Sequence, residues 1–168
     1  MKYAGIIKND LAAGPGVCVS FFTQGCPHHC PGCHNPETWN FDRGKEFTPI
    51  VLEEIDKALD ANGVHRDFCL LGGEPLCDEN LFLSYLILEH VKIIHPDVKT
   101  YIWSGYTYEQ LMKRAATSTS LRRVLKLADI LIDGPFIQEQ RDITLHMRGS
   151  RNQRIWDLKT KKELKELE

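Results

Sequence analysis

Hydrophobic residues along this chain fall into short continuous runs, separated by stretches with helical period. The runs GVCVSFF (16–22), DFCLLGG (67–73), VKTYIW (98–103) and ADILIDG (128–134) are rich in apolar or β-branched residues and mostly end at glycine. Runs of that kind predict buried strands. Between them Val51, Ile55 and Leu59 recur at i, i+4 and i+8, which predicts one buried helix face. Thr48 and Pro49 predict its cap and first turn, because proline's missing N–H costs nothing there. Asp78 is expected to cap a second helix, apolar on most sides through Ile94, with Pro96 after it. Thr107 and Gln110 have the spacing of a capping box ahead of LMKRAA.

Strand and helix in alternation predict an α/β fold with a mostly parallel sheet and right-handed crossovers. A complete eight-unit barrel takes about 250 residues. With 168 residues, the chain is expected to form a single domain built as a partial, open β/α barrel. Ligands of such sheets bind beyond the carboxyl ends of the strands. The chemically unusual residues follow strand ends: a cysteine loop after the first run, GGEP after the second, SGY (104–106) after the third and DGPF (133–136) after the fourth. One site along one sheet edge is the expectation.

Composition narrows the function classes. A hydrophobic content of 42% suffices for one well-buried domain. A net charge of −2, with a basic run only near the C-terminus, gives no footprint of a nucleic-acid or membrane surface. The segment MKYAGIIKNDLAAGPG lacks the unbroken apolar core of a signal peptide. Leu81 to Ile94 is interrupted by Ser84, Glu89, His90 and Lys92, so no membrane span is expected there. The expected location is the cytoplasm, where thiols stay reduced and six cysteines point to metal binding or catalysis before disulfides. The closing LKTKKELKELE alternates in charge sign; residues 159–168 are expected to be a solvated helical or frayed tail behind a domain at 1–158.

Within TQGCPHHCPGCHNPETWN (23–40), Cys26, Cys30 and Cys33 have C-x3-C-x2-C spacing. A zinc ion needs four ligands, which these cysteines and His28, His29 or His34 supply. Zinc pairs usually find a second pair about 12 to 20 residues on, and none follows here. An ordinary [4Fe–4S] cluster takes four cysteines. Three leave one iron without a protein ligand, a position useful to a catalyst that binds substrate or cofactor there. Pro27 and Pro31 limit the loop's freedom, while Gly25 and Gly32 allow tight turns and close approach. Cys18 and Cys69 lie inside apolar runs and read as core residues, and Cys77 as a loop thiol. A fourth ligand from any of these would remove the open position.

GCPHHCPGCHNPETW (25–39) resembles the cluster loop of the radical S-adenosylmethionine superfamily, and its continuation CHNPETW (33–39) resembles the activating enzymes of glycyl-radical proteins. LGGEPL (71–76) resembles the superfamily's GGE motif, which contacts the cofactor's amino group. ILIDGPF (130–136) and RGSRNQR (148–154) resemble later motifs of the activators of anaerobic ribonucleoside-triphosphate reductases. The resemblance runs from about Gly5 to Arg154, nearly the whole chain.

That resemblance implies a shortened radical SAM fold, with a [4Fe–4S] cluster on Cys26, Cys30 and Cys33. It implies S-adenosyl-L-methionine on the open iron, with Gly32, Gly72, Gly73, Glu74, Ser104 and Asp133 as cofactor contacts. Gly72 and Gly73 would admit the backbone to the cofactor, and Glu74 would help orient its ammonium. Gly32 stands where many members carry an aromatic residue near the adenine, so adenine packing has to come from elsewhere. The implied activity is that of an oxidoreductase. Reductive cleavage of the cofactor gives a 5′-deoxyadenosyl radical, which takes hydrogen from a glycine of the partner, the glycyl-radical subunit of the reductase. A one-electron donor such as flavodoxin or ferredoxin is implied as a second partner. Ser104 and Asp133 read equally well as turn formers. Asn152 and Arg154 read as contacts to the cofactor or to the partner's surface. The histidines read as loop-lining residues, and Trp39 and Trp103 as core or rim aromatics. The competing functions are an activase of another glycyl-radical enzyme, a small radical enzyme acting on a metabolite, a zinc-stabilised binding module and a simple electron carrier.

Overall fold

The chain folds around one eight-stranded sheet, and the computed structural model describes residues 1–165. The strands are β1 (Lys2–Asp10), β2 (Cys18–Thr23), β3 (Lys45–Glu46), β4 (Asp67–Gly72), β5 (Thr100–Trp103), β6 (Ile130–Asp133), β7 (Arg154–Asp157) and β8 (Lys162–Leu164). Their order across the sheet is β3-β1-β2-β4-β5-β6-β7-β8. The inner four, β2, β4, β5 and β6, are parallel, and they are the four strands that the apolar runs predict. The flanks are antiparallel, and the sheet stays open between β3 and β8.

Alternation along the parallel strands assigns two buried faces. Val19 and Phe21, Phe68 and Leu70, Ile102, and Leu131 point to a large core. Cys18, Cys69, Tyr101, Ile130 and Ile132 point to a smaller one on the other face. Helices α1 (Ile50–Leu59), α2 (Leu81–Ile94), α3 (Tyr108–Ala115) and α4 (Thr119–Leu127) all contribute to the large core. The smaller face is covered by Ala13, Met147 and Leu164 from loops and the last strand. Burial on both faces is why the inner strands read as unbroken apolar runs.

The capping expectations fare unevenly. Thr107 and Gln110 form the capping box on α3. Thr48 does not cap α1 with its side chain; its carbonyl accepts the Val51 amide at 2.9 Å. Asp78 does not cap α2 either, because Asn80 occupies the cap position and Asp78 instead accepts Arg114 Nη2 at 2.7 Å. The sequence reading omitted α4, although Ser118 accepts the Leu121 amide and Leu121, Val124 and Leu125 are buried at i, i+3 and i+4. It also omitted β1 and β7. Register shifts between Tyr3 and Gly5 and between Ile7 and Asp10 break the two-residue period of β1, and Ile7 is exposed. The expected helical or frayed tail is, at Lys162–Leu164, strand β8 paired antiparallel with β7; residues 166–168 lie outside the described residues. Among the described residues no helix is long and apolar enough to cross a membrane.

Asp129, just before β6, ties the far edge of the parallel strands to α2. It accepts Lys92 Nζ at 2.5 Å, the Thr100 amide at 2.8 Å and the Thr100 hydroxyl at 3.0 Å. Burial works to raise its carboxyl, but the bonds from Lys92 and Thr100 outweigh that and hold it below the ordinary value. A depressed folded pKa stabilises the fold above the unfolded value, near about 4, and the contribution is lost as pH falls through the folded value. Asp129→Asn is expected to cost about 2 kcal/mol at pH 7. Urea unfolding of the two proteins should converge below about pH 4, where wild type loses its advantage.

Candidate functional site

One open pocket lies at the carboxyl ends of the parallel strands. Its wall takes Cys26, Cys30 and Cys33 from the loop after β2, Leu71 to Glu74 from the end of β4, Trp103 to Gly105 from the end of β5, and Gly134 and Phe136 from beyond β6. The four strand-end segments thus meet at one place, as the sequence predicts. The three cysteines are partly exposed. Among the described residues no group of three or more histidine, cysteine, aspartate or glutamate side chains converges tightly enough to hold a metal ion. An iron–sulfur cluster distributes its thiolates over separate irons, and the donor set along this wall suits it.

Cys18, Cys69 and Cys77 are buried and do not line the pocket. Cys18 and Cys69 sit in the smaller core, as expected. Cys77 is more buried than a loop thiol; its Sγ donates to the Glu74 carbonyl at 3.1 Å, and burial pushes it up to about 12. Burial also raises Cys26 to about 11 and Cys30 above its ordinary value. Ligand thiols bind iron as thiolates, so loading this loop displaces protons.

Backbone pairing holds the ends of the cysteine loop. Gly25 N–H donates to the Thr38 carbonyl at 2.7 Å and Cys26 N–H to the Trp39 carbonyl at 3.1 Å. The buried Gln24 amide donates to the carbonyls of Glu37 and Asn40 at 3.1 and 2.8 Å. The segment NPETWN is thus the return strap of the loop. Trp39 packs against the His29 ring and brings a buried indole N–H, without a hydrogen-bond partner, to the pocket wall.

The GGEP turn is pressed onto this loop. Gly73 N–H donates to the Thr23 carbonyl at 2.9 Å and Glu74 N–H to the Gly25 carbonyl at 2.8 Å. A Cβ on Gly73 would collide with the Gly25 backbone, and one on Gly72 with Phe22, where φ is +106°. Both glycines line the pocket, and their missing side chains also let two chain segments touch. Asn80, absent from the sequence reading, donates to the carbonyls of Gly25 and Glu74 at 3.2 and 3.0 Å.

Glu74 is 1% exposed, and four donors surround its carboxylate. Oε1 accepts the Leu76 amide at 2.9 Å and the Ser104 hydroxyl at 2.8 Å. Oε2 accepts the Gly105 amide at 2.7 Å and His28 Nε2 at 2.8 Å. Glu74 lines the pocket and is also tied internally, since each of its oxygens takes two hydrogen bonds. Ser104 lines the pocket but spends its hydroxyl on Glu74 and on the Tyr106 amide.

Gly32 and Asp133, also expected as cofactor contacts, meet other parts of the chain. Gly32, at φ +74°, does not line the pocket; the Gln138 side chain lies where its Cβ would stand. Asp133 is fully buried and takes the turn-forming role. Its carboxylate accepts the Tyr108 amide at 2.6 Å and Arg154 Nη2 at 2.6 Å, together with Arg154 N and Nε at 3.1 and 3.2 Å. Arg154 continues to Glu109 at 2.7 and 2.9 Å, and that bond holds the Glu109 carboxyl at about 2. The neighbouring residues repeat the pattern. Gln153 donates to the Gly134 carbonyl, Asn152 to the Pro135 carbonyl, and the Ser150 hydroxyl accepts the Ile137 amide. GSRNQR therefore braces DGPF residue by residue, and Arg154 and Asn152 are engaged inside the chain.

A family model described as a 4Fe-4S single cluster domain matches residues 12–156. A protein of Vibrio cholerae named anaerobic ribonucleoside-triphosphate reductase-activating protein is 36% identical over 156 residues, covering 92% of this chain and 97% of that protein. Proteins of the same name from Escherichia coli K12 and phage T4 are 31% and 33% identical, covering 95% and 93% of this chain and 100% and 94% of their own. Their similarity extends across the pocket and its braces alike.

Asp133→Ala is expected to cost about 3 kcal/mol, because it strands Arg154 Nε and the Tyr108 amide. Urea unfolding of the unloaded protein measures this, and a loss under about 1 kcal/mol would count against the bracing role.

Proposed function

The chain belongs to the family of anaerobic ribonucleoside-triphosphate reductase-activating proteins, and from that membership we propose that it activates such a reductase by radical S-adenosylmethionine chemistry. The observation that carries the reading is the meeting of three partly exposed thiols with the GGEP turn on one pocket wall. Family membership supplies the [4Fe–4S] cluster. In this proposal Cys26, Cys30 and Cys33 hold it and leave one iron for the cofactor. Bound together, cluster and S-adenosylmethionine supply reductive cleavage of the cofactor and a 5′-deoxyadenosyl radical able to take hydrogen from a glycine of the partner.

The chain's own part is to bind, orient and shield. The main chain at Gly72, Gly73 and Gly105 offers the wall beside the thiols, with no side chain in the way. Trp39, Trp103 and Phe136 supply apolar wall that keeps water from a reactive group. Hydrogen-atom transfer needs no general base, which fits a pocket whose acids are occupied by structural bonds. The fold suits the proposal as a shortened radical SAM barrel, since all four helices lie on one face of an open sheet whose inner strands are parallel. The proposal includes a cytoplasmic location and a flavodoxin- or ferredoxin-like electron donor.

Anaerobic reconstitution followed by incubation with S-adenosylmethionine and a reductant tests the reading. 5′-Deoxyadenosine is the expected product, with a glycyl radical seen by EPR when the reductase is added. Cys26→Ala, Cys30→Ala or Cys33→Ala is expected to abolish the product, whereas Cys18→Ala should lower stability by about 1 kcal/mol or more and leave turnover in place. Stoichiometric zinc without iron or sulfide would overturn the cluster. Redox activity without 5′-deoxyadenosine would make the protein an electron carrier. A radical formed only on a different glycyl-radical enzyme would reassign the partner.

A further inference from the structure

We propose that His28 is the positioning residue that sets the cysteine loop against the GGEP turn, and thereby sets the cluster's place relative to the cofactor. The inference rests on the reading that Cys26, Cys30 and Cys33 hold the cluster. Among the described residues, His28 makes a side-chain hydrogen bond from residues 27–34 to the rest of the chain, at 2.8 Å to Glu74 Oε2, and the Cys30 thiol meets the Phe136 backbone amide. The ends of the loop are held by backbone pairing at Gly25 and Cys26, and its ligand-bearing middle is anchored by His28 on Glu74 and by the Cys30 thiol on the Phe136 backbone. His28 lies between Cys26 and Cys30, so whatever fixes its ring fixes both sulfurs.

Gly105 gives independent support. A Cβ there would collide with the His28 ring, yet its backbone has no positive φ that would call for glycine. What glycine supplies at this position is room for the imidazole to reach Glu74 while the Gly105 amide donates to the same carboxylate oxygen at 2.7 Å. The far side of the ring is also fixed. His28 meets the Tyr106 ring edge-on at 4.5 Å, and Arg114 covers Tyr106 at 4.4 Å. Arg114 returns to the turn through the Leu76 carbonyl at 2.9 Å. The imidazole is therefore held by hydrogen bond, by packing and by a cleared space, all supplied by the strand ends that carry the cofactor wall. No proton moves in this role: Nε2–H donates, and Glu74 accepts.

Three variants separate positioning from mere folding. His28→Phe keeps a ring and loses the donor. His28→Gln keeps a donor able to reach Glu74. Gly105→Ala displaces the ring while leaving His28 and Glu74 in the chain. In the unloaded protein, amide hydrogen exchange across residues 27–33 should quicken about tenfold in His28→Phe and Gly105→Ala, and return to within about threefold of wild type in His28→Gln. After reconstitution all three should hold wild-type iron and sulfide, because the thiols are intact. The change that S-adenosylmethionine produces in the reduced cluster's EPR spectrum should need about tenfold more cofactor in His28→Phe and Gly105→Ala, with the glutamine variant restoring it. Unchanged exchange in His28→Phe, or a glutamine variant no better than phenylalanine, would overturn the proposal. A wild-type protein that assembles no cluster would overturn the function above instead, and the exchange experiment would still decide whether His28 anchors the loop.

Discussion

A carboxylate taken out of water has to be surrounded by donors, and Glu74 is surrounded by four from three separate segments. Its own turn contributes the Leu76 amide, the end of β5 contributes Ser104 and Gly105, and the cysteine loop contributes His28. The group is small and both oxygens are used, so these segments cannot drift apart without stranding a buried acceptor or an amide. Leaving such a group unpaired costs about 1–3 kcal/mol each. Glutamine could not take over, because either orientation of its amide would turn an N–H donor toward the Leu76 or Gly105 N–H. Position 74 therefore demands two acceptor oxygens, and that demand locates the pocket wall.

The later segments obey the same logic by another route. GSRNQR does not reach into the pocket with Asn152 or Arg154. Four of its side chains are spent on the turn at 133–137: Arg154 on Asp133, Gln153 on the Gly134 carbonyl, Asn152 on the Pro135 carbonyl and Ser150 on the Ile137 amide. A turn after a strand has unpaired backbone groups, and side chains brought in by the adjacent antiparallel strand β7 satisfy them. Phe136 and Gly134 are thereby presented at the wall on a fixed backbone.

This division explains what sequence could and could not reveal. The four parallel strands were legible because burial on both faces leaves nearly unbroken apolar runs, and their shared carboxyl edge follows from topology. The capping box at Thr107 was legible because both partners lie within one turn. β1 was not, since register shifts break its period, and β8 was hidden by a charged sequence that pairs through its backbone. At the site, cysteine spacing pointed to the loop whose thiols line the pocket. The partners of the polar residues around it were not legible because they are remote: His28 and Glu74 are 46 residues apart, and Arg154 and Asp133 are 21 apart. Nothing local in PHHCPG tells a tethering histidine from an idle one. The absent side chain at Gly105 was the available signal, but it becomes readable only once the imidazole is seen beside it.

Nearly every charged or polar side chain near the pocket turns away from it, toward another part of the chain. The wall of the open space is made of main chain at the glycines, three thiols and aromatic rings, together with Asn35 and the tied side chains of His28, Glu74, Ser104 and Gln153. A site built for proton transfer would expose its acids and bases and tune them. A site built to hold reactive groups in place, while contributing no acid or base of its own, would use polar residues as struts and leave a quiet wall. The second description matches this pocket, in which the polar residues brace the wall and set its distances.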